Sequence, residues 1–456
     1  MHGNGAKDGM NKRIISQWLR GRAAVQRRAH RRLRTPNAAR ATGASARPPS
    51  APAAAGQRIA YILSMFPALS ETFILREILE LRRRGVEIRI HSLKPCSDAI
   101  VHPEAKTLVA EGRVQYASPA RGLLRFAGLA LRHPRRVWGA MADFRRSFTG
   151  SGLSLAKSFT SMALAADLIP ALRAQGITHI HAPWATYPST AAWFCSRLAG
   201  FSFSFTARAH DLFLEDHGLA VKLREARFTQ TITEYNRSLI RRRFPDPEPK
   251  PLHVIHSALD LGDFNARRAP VQPSLILSIG RMVEMKGFPD LIDACALMRD
   301  QGISFQCLII GRGPLRQALQ RRIEMRELQH WVRIEDPMPQ AGIRRLLSQA
   351  SCFVLPCVTA ADGDQDGIPN VLMEAMAARV PVVSCPTSGV PELVQHGRTG
   401  LLAEARNPHS LAFQVRKLLH DPELGLRLAE AGRLKVEDEV NIRKNAARLA
   451  DLFPAS

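Results

Sequence analysis

The sequence predicts an α/β protein made of two successive parallel sheets, each covered by helices on both faces. Three observations predict it. The chain has 456 residues, enough for two domains with full cores. Short apolar runs alternate with amphipathic stretches, which implies parallel strands joined by crossover helices. This alternation occurs twice, interrupted at Asn265–Pro273 by the linker-like N-A-R-R-A-P-V-Q-P.

Residues 1–57 stand apart, with twelve basic side chains against Asp8 alone, nearly half of the net charge of +24. Thr35–Gln57 is mostly Ala, Pro, Ser, Gly and Arg, too poor in large apolar residues to build a core, and reads as part of a disordered extension. Ile14–Leu33 reads either as a basic amphipathic helix for an anionic surface or as an arm without function. It lacks the apolar segment of a secretory signal.

The first domain, 58–264, opens with a strand at Ile59–Met65, a helix at Glu71–Arg84 stopped by Gly85, and a strand at Val86–Ser92. Strands at Ile177–His181, Phe203–Ala207 and about Phe228–Thr233 follow, with a helix from Ser189 between the first two. From Arg121 to Arg146, seven arginines opposed only by Asp143 interleave with apolar residues including Leu123, Leu124, Leu131 and Trp138, and Pro134 splits the stretch into two helices. This reads as a surface for anionic lipid or as an ordinary helix pair with solvated arginines. The two readings are compatible.

In the second domain, 274–435, the apolar run Leu275–Leu277 leads into S-I-G-R-M-V-E-M-K-G, Ser278–Gly287. Arg281 and Lys286 therefore leave the tip of a buried strand, where open α/β sheets bind ligands. L-I-I-G-R-G-P-L, Leu308–Leu315, is a strand breaking into a turn at Gly311 and Gly313. D-G-I-P-N-V-L-M-E, Asp366–Glu374, puts one acid on a loop and another a turn and a half into a helix. Pro369 suits the first helical position. Val371, Leu372, Ala375 and Met376 then face the core, with Asn370 and Glu374 on the opposite face. Two carboxylates and free helix amides around one small volume suit sugar hydroxyls and a phosphate. S-G-V-P-E-L-V, Ser388–Val394, and H-G-R-T-G-L-L, His396–Leu402, complete the series. The seven cysteines are scattered without a C-x-x-C, which argues against zinc and disulfides and for a reducing cytoplasm. No run approaches the ~18 apolar residues of a membrane span.

The motifs from Ser278 to Leu402 resemble, in order and spacing, the C-terminal half of the retaining glycosyltransferases of family 4, whose paired acids have seven residues between them. M-F-P-A-L-S-E-T-F-I, Met65–Ile74, resembles the subset that builds bacterial exopolysaccharides. The resemblance implies the GT-B fold: two Rossmann-like lobes whose parallel sheets face each other across a cleft, with a C-terminal helix (436–456) crossing back to the first lobe. It implies metal-independent transfer of a sugar, with retention, from a nucleotide diphosphate sugar to a glycan acceptor. A lipid-linked acceptor at the cytoplasmic membrane face is the working expectation. Arg281 and Lys286 would neutralise the leaving diphosphate, Asp366 would hold hydroxyls of the donor sugar, and Glu374 those of the ribose. The amides of Asn370 and Val371 would meet a phosphate, and Gly311 and Gly313 would let the nucleotide approach the backbone. In F-S-F-T-A-R-A-H-D-L-F, Phe203–Phe213, the sugar contact falls to His210, with Arg208 its rival.

The chain departs from its relatives with Asp at 366 for Glu, Arg at 208 for His, and no Gly-Gly loop after the first strand. Ser70, Glu71 and Thr72 become candidates for a phosphate or the acceptor, His181 has a weak claim on the acceptor, and His256 and Asp260 read as a hinge-side turn. Three alternatives stay open: a sugar-nucleotide 2-epimerase with the same two lobes, a non-catalytic sugar-nucleotide-binding relative, and a basic nucleic-acid-binding protein. No nucleic-acid motif supports the last.

Overall fold

The structure is a computed structural model that describes residues 57–68, 71–96, 102–213, 217–246, 250–264 and 275–454. The basic extension (but for Gln57), Ser70 and the linker Asn265–Pro273 lie outside the described residues.

Lobe 1 holds seven parallel strands: β1 Arg58–Phe66, β2 Glu87–Pro95, β3 Val114–Tyr116, β4 His179–Ala182, β5 Ser202–Ala207, β6 Phe228–Thr231 and β7 Leu252–Val254. They lie side by side in the order β3-β2-β1-β4-β5-β6-β7. Lobe 2 holds six: β8 Leu275–Ile279, β9 Gln306–Ile310, β10 Val332–Glu335, β11 Cys352–Leu355, β12 Val382–Ser384 and β13 Leu401–Leu402, in the order β10-β9-β8-β11-β12-β13. Each order reverses once, between β1 and β4 and between β8 and β11. Loops leaving those strands part in opposite directions and open a crevice.

Strand alternation explains why both faces of lobe 1 are covered. Ile59, Tyr61 and Leu63 of β1 join Ile74, Leu75, Ile78 and Leu81 of the helix Thr72–Arg83. Ala60 and Ile62 point the other way, into a core with the helices Pro134–Ser147, Gly152–Ala174 and Tyr187–Ala199. Contrary to the expectation from sequence, Gly152–Ala174 is long and apolar enough to span a bilayer by length and composition, but half of it is buried in the lobe. Edge strands β3 and β7 were not foreseen, since three residues make no recognisable run.

The helix Pro422–Glu439 stays with lobe 2, so the return begins at Val440 and not at 436. Leu259 N–H donates to Val440 O (2.8 Å) and Ile442 N–H to Leu259 O (3.0 Å), so this return runs beside the segment after β7. The helix Ile442–Ala450 then buries Ala446, Leu449 and Ala450 against lobe 1, and Phe453 lies near His179, His181 and Phe228.

The basic stretch forms helices Pro119–Arg132 and Pro134–Ser147, split at Pro134. Its arginines are less free than the sequence implied. Buried Asp167 takes both Arg121 (3.2 Å) and Arg125 (2.8 Å), and Arg146 pairs with Asp143 (2.6 Å). Arg132, Arg135, Arg136 and Arg145 remain exposed beside Leu123 (65% exposed), Leu124 (75%), Leu131 (84%) and Trp138 (57%).

Candidate active site

The cleft between the lobes holds a cavity of ≈ 530 Å³, and a second of ≈ 350 Å³ adjoins it inside lobe 2, with Gly280, Arg281 and Val371 lining both. Both volumes are typical of small-molecule sites.

Loops at the β8–β11 reversal build the lobe 2 wall. After β8, Gly280 and Arg281 lead to a short turn, Glu284–Lys286, that ends in left-handed Gly287. A Cβ on Gly287 would meet Pro356 O, after β11, at 1.9 Å, so only glycine lets these two loops touch. The turn buries the Lys286 stem and brings Nζ to 2.6 Å from Asp366 Oδ2. Sequence reasoning gave the two separate tasks; the structure makes them one ion pair. Arg281 is exposed and has no ionic partner among the described residues.

Asp366 precedes the helix Asn370–Ala377, whose N-cap is Pro369, one position earlier than expected. The amides of Asn370 and Val371 open the helix at the cavity wall and have no acceptor among the described residues. Leu372, Ala375 and Met376 are buried as expected, whereas Val371 is half-exposed and forms the wall.

Ile279, Ile310, Gly311, Met338 and Ile343, together with Glu374, Gln340 and Arg312, line the smaller cavity, a mostly apolar slot with one acid. Burial pushes the Glu374 carboxyl above the usual carboxylate range; neighbouring Gln340 and the cations Arg76 and Arg344 pull it back only in part. Gly311 is required by the loop itself, because a Cβ there would meet Gly280 O at 1.9 Å. A Cβ on Gly313 would meet Met282 O at 2.5 Å. Thus backbone crowding accounts for both glycines without a ligand.

Lobe 1 contributes Phe73, Trp184, Arg208, Ile232 and Ser257. The buried Arg208 guanidinium lies 4.3 Å from the Phe73 ring centre and 5.5 Å from that of Trp184. Its Nε donates to Pro183 O (3.1 Å) and Nη1 to Ser257 Oγ (3.1 Å). Burial lowers its pKa, opposed by Glu77, Asp211, Glu71 and Tyr61. Burial likewise raises the Glu77 and Glu71 carboxyls, against the pull of Arg208. Wholly buried Lys222 donates to Ala185 O (2.7 Å), Ser189 Oγ (3.0 Å) and Thr190 Oγ1 (3.2 Å), bracing the loop that carries Trp184.

The other candidates fall elsewhere. His210 is the second residue of the short helix Ala209–Phe213, and its side chain is outside what the structure describes. Glu71 accepts from Trp184 Nε1 (3.1 Å), and Thr72 Oγ1 lies 3.0 Å from His102 Nε2, so these groups serve lobe 1's own packing. His181 is a fully buried core residue with Nδ1 2.8 Å from Ser204 Oγ, out of reach of any acceptor substrate. Sequence reasoning missed Trp184, which lies three residues after His181, the residue singled out there. Among the described residues no three His, Cys, Asp or Glu side chains cluster to hold a metal.

Residues 263–435 match the family model for "Glycosyl transferases group 1". The amylovoran biosynthesis glycosyltransferase AmsK of Erwinia amylovora is 38% identical over 204 residues, covering 44% of this chain and 50% of that protein. The putative colanic acid biosynthesis glycosyltransferase WcaL of Escherichia coli K12 is 36% identical over 206 residues, covering 44% and 50%. The chain therefore spans about half the length of the relatives it matches. Anabaena Alr3699/HepE, solved with UDP and glucose, superposes with a TM-score of 0.61 at 16% identity over 87% of this chain and 98% of that one. The architecture is GT-B.

Proposed function

We propose that this chain, whose second lobe is a group 1 glycosyltransferase domain homologous to those of exopolysaccharide biosynthesis, moves a sugar from a nucleotide diphosphate donor to a glycan acceptor. The juxtaposition of the two cavities carries this reading. The nucleoside takes the lobe 2 slot, with Glu374 accepting two hydrogen bonds from the ribose. The diphosphate lies on the shared wall, between Arg281, Lys286 and the amides of Asn370 and Val371. The sugar enters the larger cavity between Asp366 and Arg208. Arg208 faces it from lobe 1, and His210, two residues on, is the sugar contact that the resemblance implies.

Breaking the anomeric bond builds negative charge on the diphosphate, and the two fixed cations meet it without a metal. Attack comes from the face the diphosphate leaves, the leaving oxygen takes the acceptor's proton, and configuration is retained. The acceptor is lipid-linked at the cytoplasmic membrane face, with exposed Leu124, Trp138, Arg135 and Arg136 against anionic lipid. Each basic residue adds about 1 kcal/mol there.

A panel of UDP-, GDP- and ADP-sugars, read first by thermal shift and then by acceptor-dependent release of nucleotide diphosphate in EDTA, tests this. Stabilisation by one donor and release with a retained anomer are expected. Epimer formed from donor alone, no shift with any donor, or a requirement for added metal would overturn it in whole or in the metal clause. Binding to anionic vesicles that survives replacing Arg135 and Arg136 with Glu would remove the membrane clause.

A further inference from the structure

We propose that Glu392 is a positioning residue that sets how the two lobes close. Ser388–Val394 of lobe 2 meets lobe 1 beside the donor site, at the helix after β6 and the turn after β7 that carries His256. Glu392 Oε2 accepts the N–H of Glu234 and Oε1 that of Tyr235, both at 2.8 Å. These amides open the ten-residue helix Glu234–Arg243, so the carboxylate also meets the positive end of its dipole. His256 Nε2 lies 3.2 Å from the same Oε2. Burial opposes ionisation of Glu392, but His256 and the two amides outweigh it and hold the carboxyl below the usual range.

The backbones around this contact are pressed together. A Cβ on Gly389 would meet Thr233 Cγ2 at 2.4 Å, and one on Gly367 would meet Ile232 Cδ1 at 3.2 Å. Gly367 directly follows Asp366, and Ile232 lines the same cavity as Arg208. Seating Glu392 on its helix therefore fixes the gap between the Lys286–Asp366 pair and Arg208, the gap a donor sugar has to fill. The nucleoside slot lies within lobe 2 and does not depend on it.

The test compares full-length wild type with Glu392→Ala, Glu392→Gln and His256→Gln, each checked for native circular dichroism. Hydrogen exchange is followed at the Glu234 and Tyr235 amides, together with binding of UDP and GDP and the kinetics of transfer. In E392A, exchange at both amides is expected to quicken about tenfold or more. Nucleotide Kd and donor KM stay within about threefold, while kcat falls about tenfold. Gln, which can accept only one of the two amides, falls between, and H256Q gives a smaller change of the same kind. Unchanged exchange in E392A, or loss of nucleotide binding, would overturn the proposal, and so would faster exchange with unchanged kcat. The kinetic arm rests on the proposed transfer reaction. The exchange arm does not, so it still decides the closure contact if wild type transfers nothing.

Discussion

Replacing Lys286 with alanine removes the cation of an ion pair and, under the proposed transfer, a counter-charge to the leaving diphosphate. Nζ stands 2.6 Å from Asp366 Oδ2, with the two side chains 9% and 20% exposed. Losing the amine leaves Asp366 without its ionic partner. Breaking a fully buried pair costs about 3–5 kcal/mol, but Asp366 keeps access to water, so about 1–2 kcal/mol of stability is expected to go. Under the proposed transfer, the lost charge is also the one facing the departing diphosphate. One such preorganised group contributes about 3 kcal/mol, so kcat should fall about a hundredfold or more. Acceptor-dependent release of nucleotide diphosphate measures the second loss and urea unfolding the first. Because the two residues act as a pair, Lys286→Ala with Asp366→Asn should cost less than the two single changes combined. Activity of Lys286→Ala within about tenfold of wild type, roughly 1.4 kcal/mol, would refute the role given to Lys286.

Three further outcomes are expected. The Glu374 carboxyl is raised by burial above its ordinary 4.5, so nucleotide affinity should decline as pH falls through a value above that. Calorimetric titration should show the decline in wild type and a flat profile in Glu374→Gln; its contribution to folding has the opposite sense, present below 4.5 and lost as pH rises through the raised value. Burial lowers His91 from 6.5 to about 4 and His179 to about 3, so the stability these neutral imidazoles confer is full above 6.5 and drains away as pH falls toward those values. At pH 5 each should have withdrawn about 2 kcal/mol in denaturant unfolding, and His91→Gln should flatten the slope. Gly311→Ala should cost about 1–3 kcal/mol and weaken nucleotide binding, because its methyl group would land on Gly280 O. Unaltered stability would show that the β8 and β9 loops give way freely.

Much of the fold was legible because its strands are short apolar runs at buried positions. Ser278–Gly287 and Asp366–Glu374 show how loops that leave buried strands advertise a site. Other features depend on long-range contact and leave no local trace. Asp167 lies more than forty residues from the arginines it binds, so the basic helices looked freer than they are. The Lys286–Asp366 pair spans eighty residues. Glu392 sat in a recognisable motif and His256 in what read as a hinge-side turn, but only the packing of one lobe on the other brings them together. Arg208 stood out only as a departure from its relatives, whereas the ring faces that hold it come from Phe73, in the first turn of the helix after β1, and Trp184, in the loop after β4.

A crystal soaked with a nucleotide diphosphate bears most directly on the whole scheme. Density for the nucleoside is expected beside Glu374 and Ile343, with the phosphates between Arg281, Lys286 and the amides of Asn370 and Val371. A nucleotide lodged elsewhere, with those four groups untouched, would contradict it.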